Sequence, residues 1–173
     1  MGFAVHERKS AQSHTARAAT RGRATPFRLV VLATDAAATV AAAGGLICDS
    51  VRNGWRVDVF LEKPGGERAL RILGVGAHII PSRFDFESLW PDAVYLEAAL
   101  YERHRHVRRM VAESVQHQHA DVAVWHHDTQ SDTESGRAVE HRLSTAARAF
   151  KFHAMSAAGL DAEVAVIEPF RGR

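Results

Sequence analysis

Residues 27–62, FRLVVLATDAAATVAAAGGLICDSVRNGWRVDVFLE, decide the fold. The apolar run 27–34 predicts a buried strand, the alanine-rich run 35–53 predicts a helix that Gly54 ends, and residues 55–61 predict a second strand. A strand, a helix and a strand in this order imply a parallel sheet covered by helices. Ligands of such sheets bind where the strands end, which here is directly after the first strand.

The rest of the chain continues the alternation of helices and strands. The predicted elements are a helix over 67–73, a strand over 77–81, a helix over 92–119, a strand over 121–125, a helix over 136–158 and a strand over 162–167. The sequence therefore predicts a three-layer, Rossmann-like α/β domain with about five mostly parallel strands flanked by helices. We place this single domain at residues 26–173, after a leader, residues 1–25, that lacks periodicity and that we expect to be disordered.

The positive charge of the chain is concentrated in this leader. Residues 1–25 hold five Lys or Arg and one Glu, which leaves 17 basic and 19 acidic side chains for the rest. A domain of net charge −2 is not expected to bind a specific nucleic acid. Any attraction to phosphate polymers would come from the leader, and it would be weak and sensitive to salt.

The cysteine content and the hydropathy bear on location. The single cysteine, Cys48, cannot form an internal disulfide, which suits the reducing cytoplasm. Its neighbours Leu46 and Ile47 indicate a buried side chain rather than a nucleophile. No apolar run approaches the ~20 residues that cross a bilayer, so we expect no membrane partner. The alanine- and arginine-rich composition is typical of GC-rich bacterial genomes.

The first candidate site follows the predicted strand 121–125. His126, His127 and Asp128 come directly after it, and Asp132 and Glu134 lie further along the same polar loop. Imidazole nitrogens and carboxylate oxygens are ligands for zinc and similar ions. The spacing matches no compact metal motif, however, which favours a solvated polar loop over a metal site.

The second candidate site is the end of the first strand, Thr34 and Asp35. A carboxylate at this point could bind a sugar hydroxyl, a ribose or a metal, or it could cap the following helix. Histidines and arginines on the predicted long helix form a third group, which we interpret as a solvated face or as a contact for a phosphate or an acidic neighbour. The chain contains no G-x-G-x-x-G, Walker A, G-x-S-x-G, H-E-x-x-H or C-x-x-C motif.

The order of elements over residues 27–158 resembles the zinc-dependent LmbE/PIG-L deacetylase family. The similar segments are Ala43-Gly44-Gly45-Leu46-Ile47, residues 51–57, residues 68–75, residues 121–128 and Arg137-Ala138-Val139. The resemblance implies an α/β fold whose metal site lies at the first strand's end and in an H-P-D-H motif before Arg137.

The residues that the family uses for zinc are missing from this chain. The resemblance puts the family's metal-binding His on Asp35 and its two Asp residues on Ala37 and Ala38. The H-P-D-H positions fall on residues 133–136, which read Thr-Glu-Ser-Gly. A zinc hydrolase needs about three protein ligands and an activated water. We therefore expect no bound metal and no cofactor.

These observations favour a diverged LmbE/PIG-L-like domain without catalytic activity that binds a small-molecule ligand or a protein partner. The expected ligand-binding residues are Thr34, Asp35, His126, His127 and Asp128. The alternative is an active hydrolase or transferase that acts on a sugar- or nucleotide-like substrate through a nonstandard His/Asp site. The aromatic loop 84–90 packs down, covers the cleft or contacts another subunit, so a homo-oligomer is possible.

Overall fold

The computed structural model describes residues 25–127 and 136–173. The predicted leader lies almost wholly outside this part of the chain, so its division from the domain stays a prediction. The strands are β1 (Arg28–Ala33), β2 (Arg56–Leu61), β3 (Ala77–Ile79), β4 (Ala93–Glu97), β5 (Asp121–Trp125), β6 (Arg137–Arg142) and β7 (Ile167–Gly172). The helices are α1 (Ala36–Arg52), α2 (Glu67–Ile72), α3 (Ala98–Arg103), α4 (Arg105–Gln118) and α5 (Thr145–Ala157).

The strands form one sheet in the order β3-β2-β1-β4-β5-β7-β6. The first five are parallel neighbours, while β7 is antiparallel to β5 and β6 is antiparallel to β7. The α/β fold with a mostly parallel sheet is therefore confirmed. The described residues hold seven strands rather than about five, because two segments that we predicted to be helical form β4 and β6.

The predicted helix over 92–119 is wrong in its first part. Residues 93–97 form β4, which lies between β1 and β5. The strands β1 and β5 thus run the same way, and β4 separates them. All five residues of β4 are buried because helices cover both faces, and its apolar residues also fit helical spacing.

The predicted helix over 136–158 and the predicted strand over 162–167 also need correction. Residues 137–142 form β6, and the helix begins only after Ser144, whose side chain accepts the Ala147 N–H at 3.0 Å. The last strand is 167–172. These two strands are defined by pairing with each other, Val139 opposite Phe170, rather than by their own hydrophobicity.

Two hydrophobic clusters lie on opposite faces of the sheet. One joins α1 and α5 to Tyr95, Trp125 and Phe170, and the other joins α3 and α4 to the loop residues Phe84 and Phe86. Both loop rings are buried, so they pack down onto the sheet.

Cys48 is also buried, as predicted, and burial raises the pKa of its thiol. Among the described helices, none has the length and hydrophobicity to cross a membrane.

Candidate functional site at the carboxyl edge of the sheet

Asp35 is the cap of helix α1. Its backbone is extended, with φ −154° and ψ 176°, and its Oδ1 accepts the Ala38 N–H at 2.9 Å. Its carbonyl oxygen accepts the Thr39 N–H at 3.1 Å and the Thr39 hydroxyl at 2.8 Å. The first of these bonds satisfies a helix-end donor, the Ala38 N–H, that would otherwise lack a partner. Of the interpretations open from sequence, capping is the one for which the structure provides contacts.

The carboxylate of Glu97 binds the backbone directly after the first strand. Glu97 is the last residue of β4, is only 6% exposed, and its Oε2 accepts the Thr34 N–H at 2.8 Å. The predicted helix over 92–119 includes Glu97, which is wrong because residues 93–97 are a strand. A buried carboxylate therefore lies beside Thr34 and the start of α1.

A second carboxylate, that of Glu62, lies just after β2. Its Oε1 is 2.6 Å from His104 Nε2, and its Oε2 accepts from Arg103 Nη2 at 2.8 Å. His104 forms the extended junction between α3 and α4. Burial, followed by the electrostatic effect of the neighbouring His104 side chain, lowers the pKa of His106. Arg103 and His104, which we read as members of a solvated face or an anion contact, are instead engaged by Glu62.

The end of β5 brings Trp125 beside Glu97, since the two residues are paired in the parallel ladder. The Trp125 side chain is 5% exposed, and its buried Nε1–H has no hydrogen-bond partner in the described part of the chain. His126 is half-buried and His127 is exposed. Asp128 lies outside the described residues, as do Asp132 and Glu134. The structure thus puts Thr34, Asp35 and His126 at one edge of the sheet and leaves the Asp128 prediction untested.

Close packing restricts the space at the start of α1. Gly66 has a left-handed φ of 75°, and a Cβ added to it would lie 2.3 Å from the Cβ of Ala36. The loop after β2 therefore rests directly on the first turn of the helix. Only a residue without a side chain fits this approach.

The residues at this edge do not fit the zinc site that the resemblance implies. Ala37 and Ala38 carry no donor atom, and the Asp35 carboxylate is engaged by its helix. In the described ranges 25–127 and 136–173, no group of three His, Cys, Asp or Glu side chains converges as a metal site would require.

Sequence reasoning missed Glu97 and Trp125 as members of the site. The signal was the run Ala93-Val94-Tyr95-Leu96 directly after Pro91-Asp92, which is short, apolar and preceded by a helix breaker. Once this run is recognised as a central strand, its last residue falls at the carboxyl edge. Glu97 then becomes a candidate by position alone.

Comparisons with known proteins relate the chain through its fold. No protein-family model matches the chain, and no curated protein matches it either. A deacetylase solved with teicoplanin, from the teicoplanin biosynthesis pathway, superposes with a TM-score of 0.56 at 13% identity, covering 84% of this chain and 97% of that one.

Two further deacetylases superpose similarly. The A40926 pseudoaglycone deacetylase Dbv21 gives a TM-score of 0.53 at 16% identity and covers 77% of this chain and 81% of its own. The N,N'-diacetylchitobiose deacetylase from Pyrococcus horikoshii gives 0.52 at 13% identity and covers 84% and 83%. Such identities relate folds and not activities. The chain has the fold of LmbE/PIG-L-like deacetylases, as the resemblance predicted.

Proposed function

We propose that this chain is a diverged LmbE/PIG-L-like domain that does not catalyse deacetylation and instead binds a small polar ligand at the carboxyl edge of its sheet. The binding surface comprises Thr34, Glu97, Trp125 and His126. The observation that carries the proposal lies in the first turn of α1. Ala37 and Ala38 stand where the resemblance places a zinc ligand and a general base, and Asp35 caps the helix.

The loss of ligands argues against zinc hydrolysis. A catalytic zinc needs about three protein ligands and an open position for water, and a general base must lie within hydrogen-bond reach of that water. Ala37 and Ala38 supply neither a ligand nor a base. The deacetylase activity named for the structural neighbours is therefore not carried over to this chain.

The polar groups at the carboxyl edge are suited to binding a ligand. Glu97 is a buried acceptor at the carboxyl edge, and the indole N–H of Trp125 is a buried donor on the adjacent strand. A buried donor without a partner is unfavourable, so a ligand oxygen that accepts from Trp125 would gain free energy. A ligand with neighbouring donor and acceptor groups, such as a polyol or an amide, matches this pair.

Metal analysis of the purified full chain tests the proposal that the protein does not catalyse deacetylation. We expect far less than one zinc per chain and a melting temperature that a chelator does not change. Stoichiometric zinc that is lost in His127→Ala but kept in His153→Ala, an exposed histidine of α5, would contradict the proposal. That result would favour the alternative, an active hydrolase or transferase with a nonstandard His/Asp site.

Ligand binding at the carboxyl edge can be followed at the indole N–H resonance of Trp125 in the ¹⁵N-labelled protein. We expect acetamide, glycerol or glucose to shift this resonance in a saturable way, and Glu97→Gln to weaken the response. The resonance of Trp55, which packs against Phe27 with ring centroids 4.3 Å apart, serves as the internal control. The binding proposal fails if none of the three probes moves Trp125.

A further inference from the structure

A cavity of about 110 Å³ opens at the opposite edge of the sheet, where the strands begin. The apolar part of its wall comes from Pro26, Leu89 and Trp90, and its polar part comes from Arg28, Arg56, Asp92, Gln118, Thr25 and Ser88. Neither the sequence patterns nor the resemblance pointed to this place. The cavity is therefore a second candidate site, separated from the carboxyl edge by the length of the strands.

Arg28 is held rigidly in the cavity wall. Its side chain is only 10% exposed, its Nε donates to Asp58 Oδ2 at 2.7 Å, and its Nη1 donates to the Leu89 carbonyl at 2.7 Å. The guanidinium carbon lies 4.6 Å from the centroid of the Phe86 ring. These contacts hold the Arg28 guanidinium in one position. A preorganised cation of this kind favours selective binding of an anion.

Arg56 is the exposed cation of the pair. Its side chain is 55% exposed, and its Nε lies 3.4 Å from the same Asp58 oxygen, which is longer than a good hydrogen bond. One carboxylate thus serves two guanidinium groups. Most of the five N–H donors of Arg56 remain available to a ligand.

The carboxylate in the wall, that of Asp92, is already engaged. Asp92 Oδ2 accepts the Arg28 backbone N–H at 2.9 Å, and Asp92 Oδ1 accepts from Gln118 Nε2 at 2.8 Å. The four charges of the two arginines and two aspartates balance formally. Because the Asp92 carboxylate is occupied and most of the Arg56 donors are not, the cavity has hydrogen-bonding capacity for a ligand that accepts.

The loop that forms one wall has an unusual backbone. Glu87 and Ser88 are consecutive residues other than glycine with left-handed φ angles of 47° and 69°. This conformation carries the Leu89 carbonyl to Arg28 and places Ser88 and Leu89 at the cavity. Left-handed backbone at such residues is unfavourable and is concentrated at ligand-binding sites.

We propose that this cavity binds a small monocarboxylate with a short apolar body. The carboxylate would accept from Arg56 in the two-pronged geometry that guanidinium groups favour, and the apolar body would lie against Pro26, Leu89 and Trp90. An apolar cavity of about 150 Å³ accommodates benzene, so a cavity of this size fits a ligand of a few carbon atoms. The proposal goes beyond the function suggested for the carboxyl edge.

Butyrate and its neutral isostere butyramide test the proposal on the full ¹⁵N-labelled chain at constant ionic strength. We expect butyrate to shift the indole N–H of Trp90 saturably while the indole N–H of Trp125, at the other edge, stays in place. Butyramide should bind at least tenfold more weakly, because it lacks the charge that Arg56 recognises.

Arg56→Gln should reduce the affinity for butyrate about tenfold or more, since it removes a charge-assisted pair from a site that keeps its shape. Arg71→Gln, an exposed arginine of α2 outside the cavity, should leave the affinity unchanged. Equal binding of butyrate and butyramide, or equal affinity in Arg56→Gln, overturns the proposal. A butyrate response at Trp125 and not at Trp90 also overturns it, and it would leave the binding proposed for the carboxyl edge standing.

Discussion

The Lys151 ammonium lies 2.6 Å from the Glu168 carboxylate, and the two side chains are only 4% and 2% exposed. Glu168 also accepts the N–H groups of Gly45 and Leu46 at 2.7 and 2.8 Å, and Lys151 donates to the Ala41 carbonyl at 2.7 Å. In a regular helix the Gly45 N–H would donate to the Ala41 carbonyl. The ion pair bonds to both groups and thereby joins α5 and β7 to the middle of α1.

Removal of one member of this pair should be costly. Glu168→Ala leaves the Lys151 ammonium buried without its counter-ion, and we expect a loss of about 3–5 kcal/mol in the free energy of unfolding. Urea denaturation measures this loss. In the double variant Lys151→Met/Glu168→Ala, the total loss should be smaller than the sum of the two single losses, because no charge remains buried.

A surface ion pair of the same chain provides the control. Arg109 Nε donates to Glu113 Oε1 at 2.8 Å across one turn of α4, with side-chain exposures of 72% and 31%. Glu113→Gln should cost only about 0.2–0.5 kcal/mol, because solvent screens the pair. Similar losses from Glu168→Ala and Glu113→Gln would contradict the role we assign to burial.

Gly45 should not tolerate alanine, although alanine is the better helix former. A Cβ at Gly45 would lie 2.2 Å from Leu143 Cγ, so we expect Gly45→Ala to destabilise the protein by about 1–3 kcal/mol instead of stabilising it. Thermal or urea denaturation gives the sign. Gly76→Ala is the control, since a Cβ there meets no atom within 4 Å. Addition of Leu143→Ala should recover part of the loss, and a stabilised Gly45→Ala protein would refute the packing argument.

The fold could be predicted where local pattern and tertiary environment agree. The unit β1–α1–β2 has a continuous apolar run, an alanine-rich helix and Gly54 with a left-handed φ of 78° after it, so each element is specified by its own residues. The strand β4 was mistaken for helix, because Val94, Leu96 and their neighbours are apolar on both faces and periodicity alone does not separate such a strand from a buried helix.

The antiparallel edge and part of the site escaped prediction for another reason. β6 and β7 depend on pairing between residues about 30 positions apart, and Glu168 meets Gly45 across 123 positions. No local periodicity encodes contacts of that range. The position of Asp35 at the end of β1 was predictable, whereas the neighbourhood of Glu97 and Trp125 required the strand order.

Asp49 should make stability depend on pH in the acid range. Burial raises the pKa of Asp49, but hydrogen bonds from the His141 ring and from the Ser144 hydroxyl and backbone outweigh it, so the pKa lies below its usual 3.8. A carboxyl whose pKa is lowered by folding contributes stability above the unfolded value and loses it as pH falls through the folded value. We expect the urea midpoint to fall below about pH 4 partly through this group.

Asp49→Asn isolates that contribution. The difference in stability between the native protein and Asp49→Asn should be largest near neutral pH and should shrink as the pH falls toward 3, since the native carboxyl then becomes protonated. Asp161→Asn, at an exposed aspartate, should leave the shape of the pH profile unchanged. A difference that is constant over this range would show that Asp49 does not act through its charge.

Substitutions at Asp35 distinguish a role as helix cap from a role as metal ligand. Asp35→Ala should lower the free energy of unfolding by about 1 kcal/mol, because Ala38 loses its acceptor, whereas Asp35→Asn should retain most of the stability, since asparagine caps helices equally well. An amide is a much poorer zinc ligand than a carboxylate, so the same two variants separate the two roles. Urea denaturation and zinc content, measured on both variants, should show stability that follows capping ability and zinc content that does not change. If Asp35→Asn kept its stability but lost stoichiometric zinc, Asp35 would be a metal ligand, and the non-catalytic function proposed for this chain would fail with it.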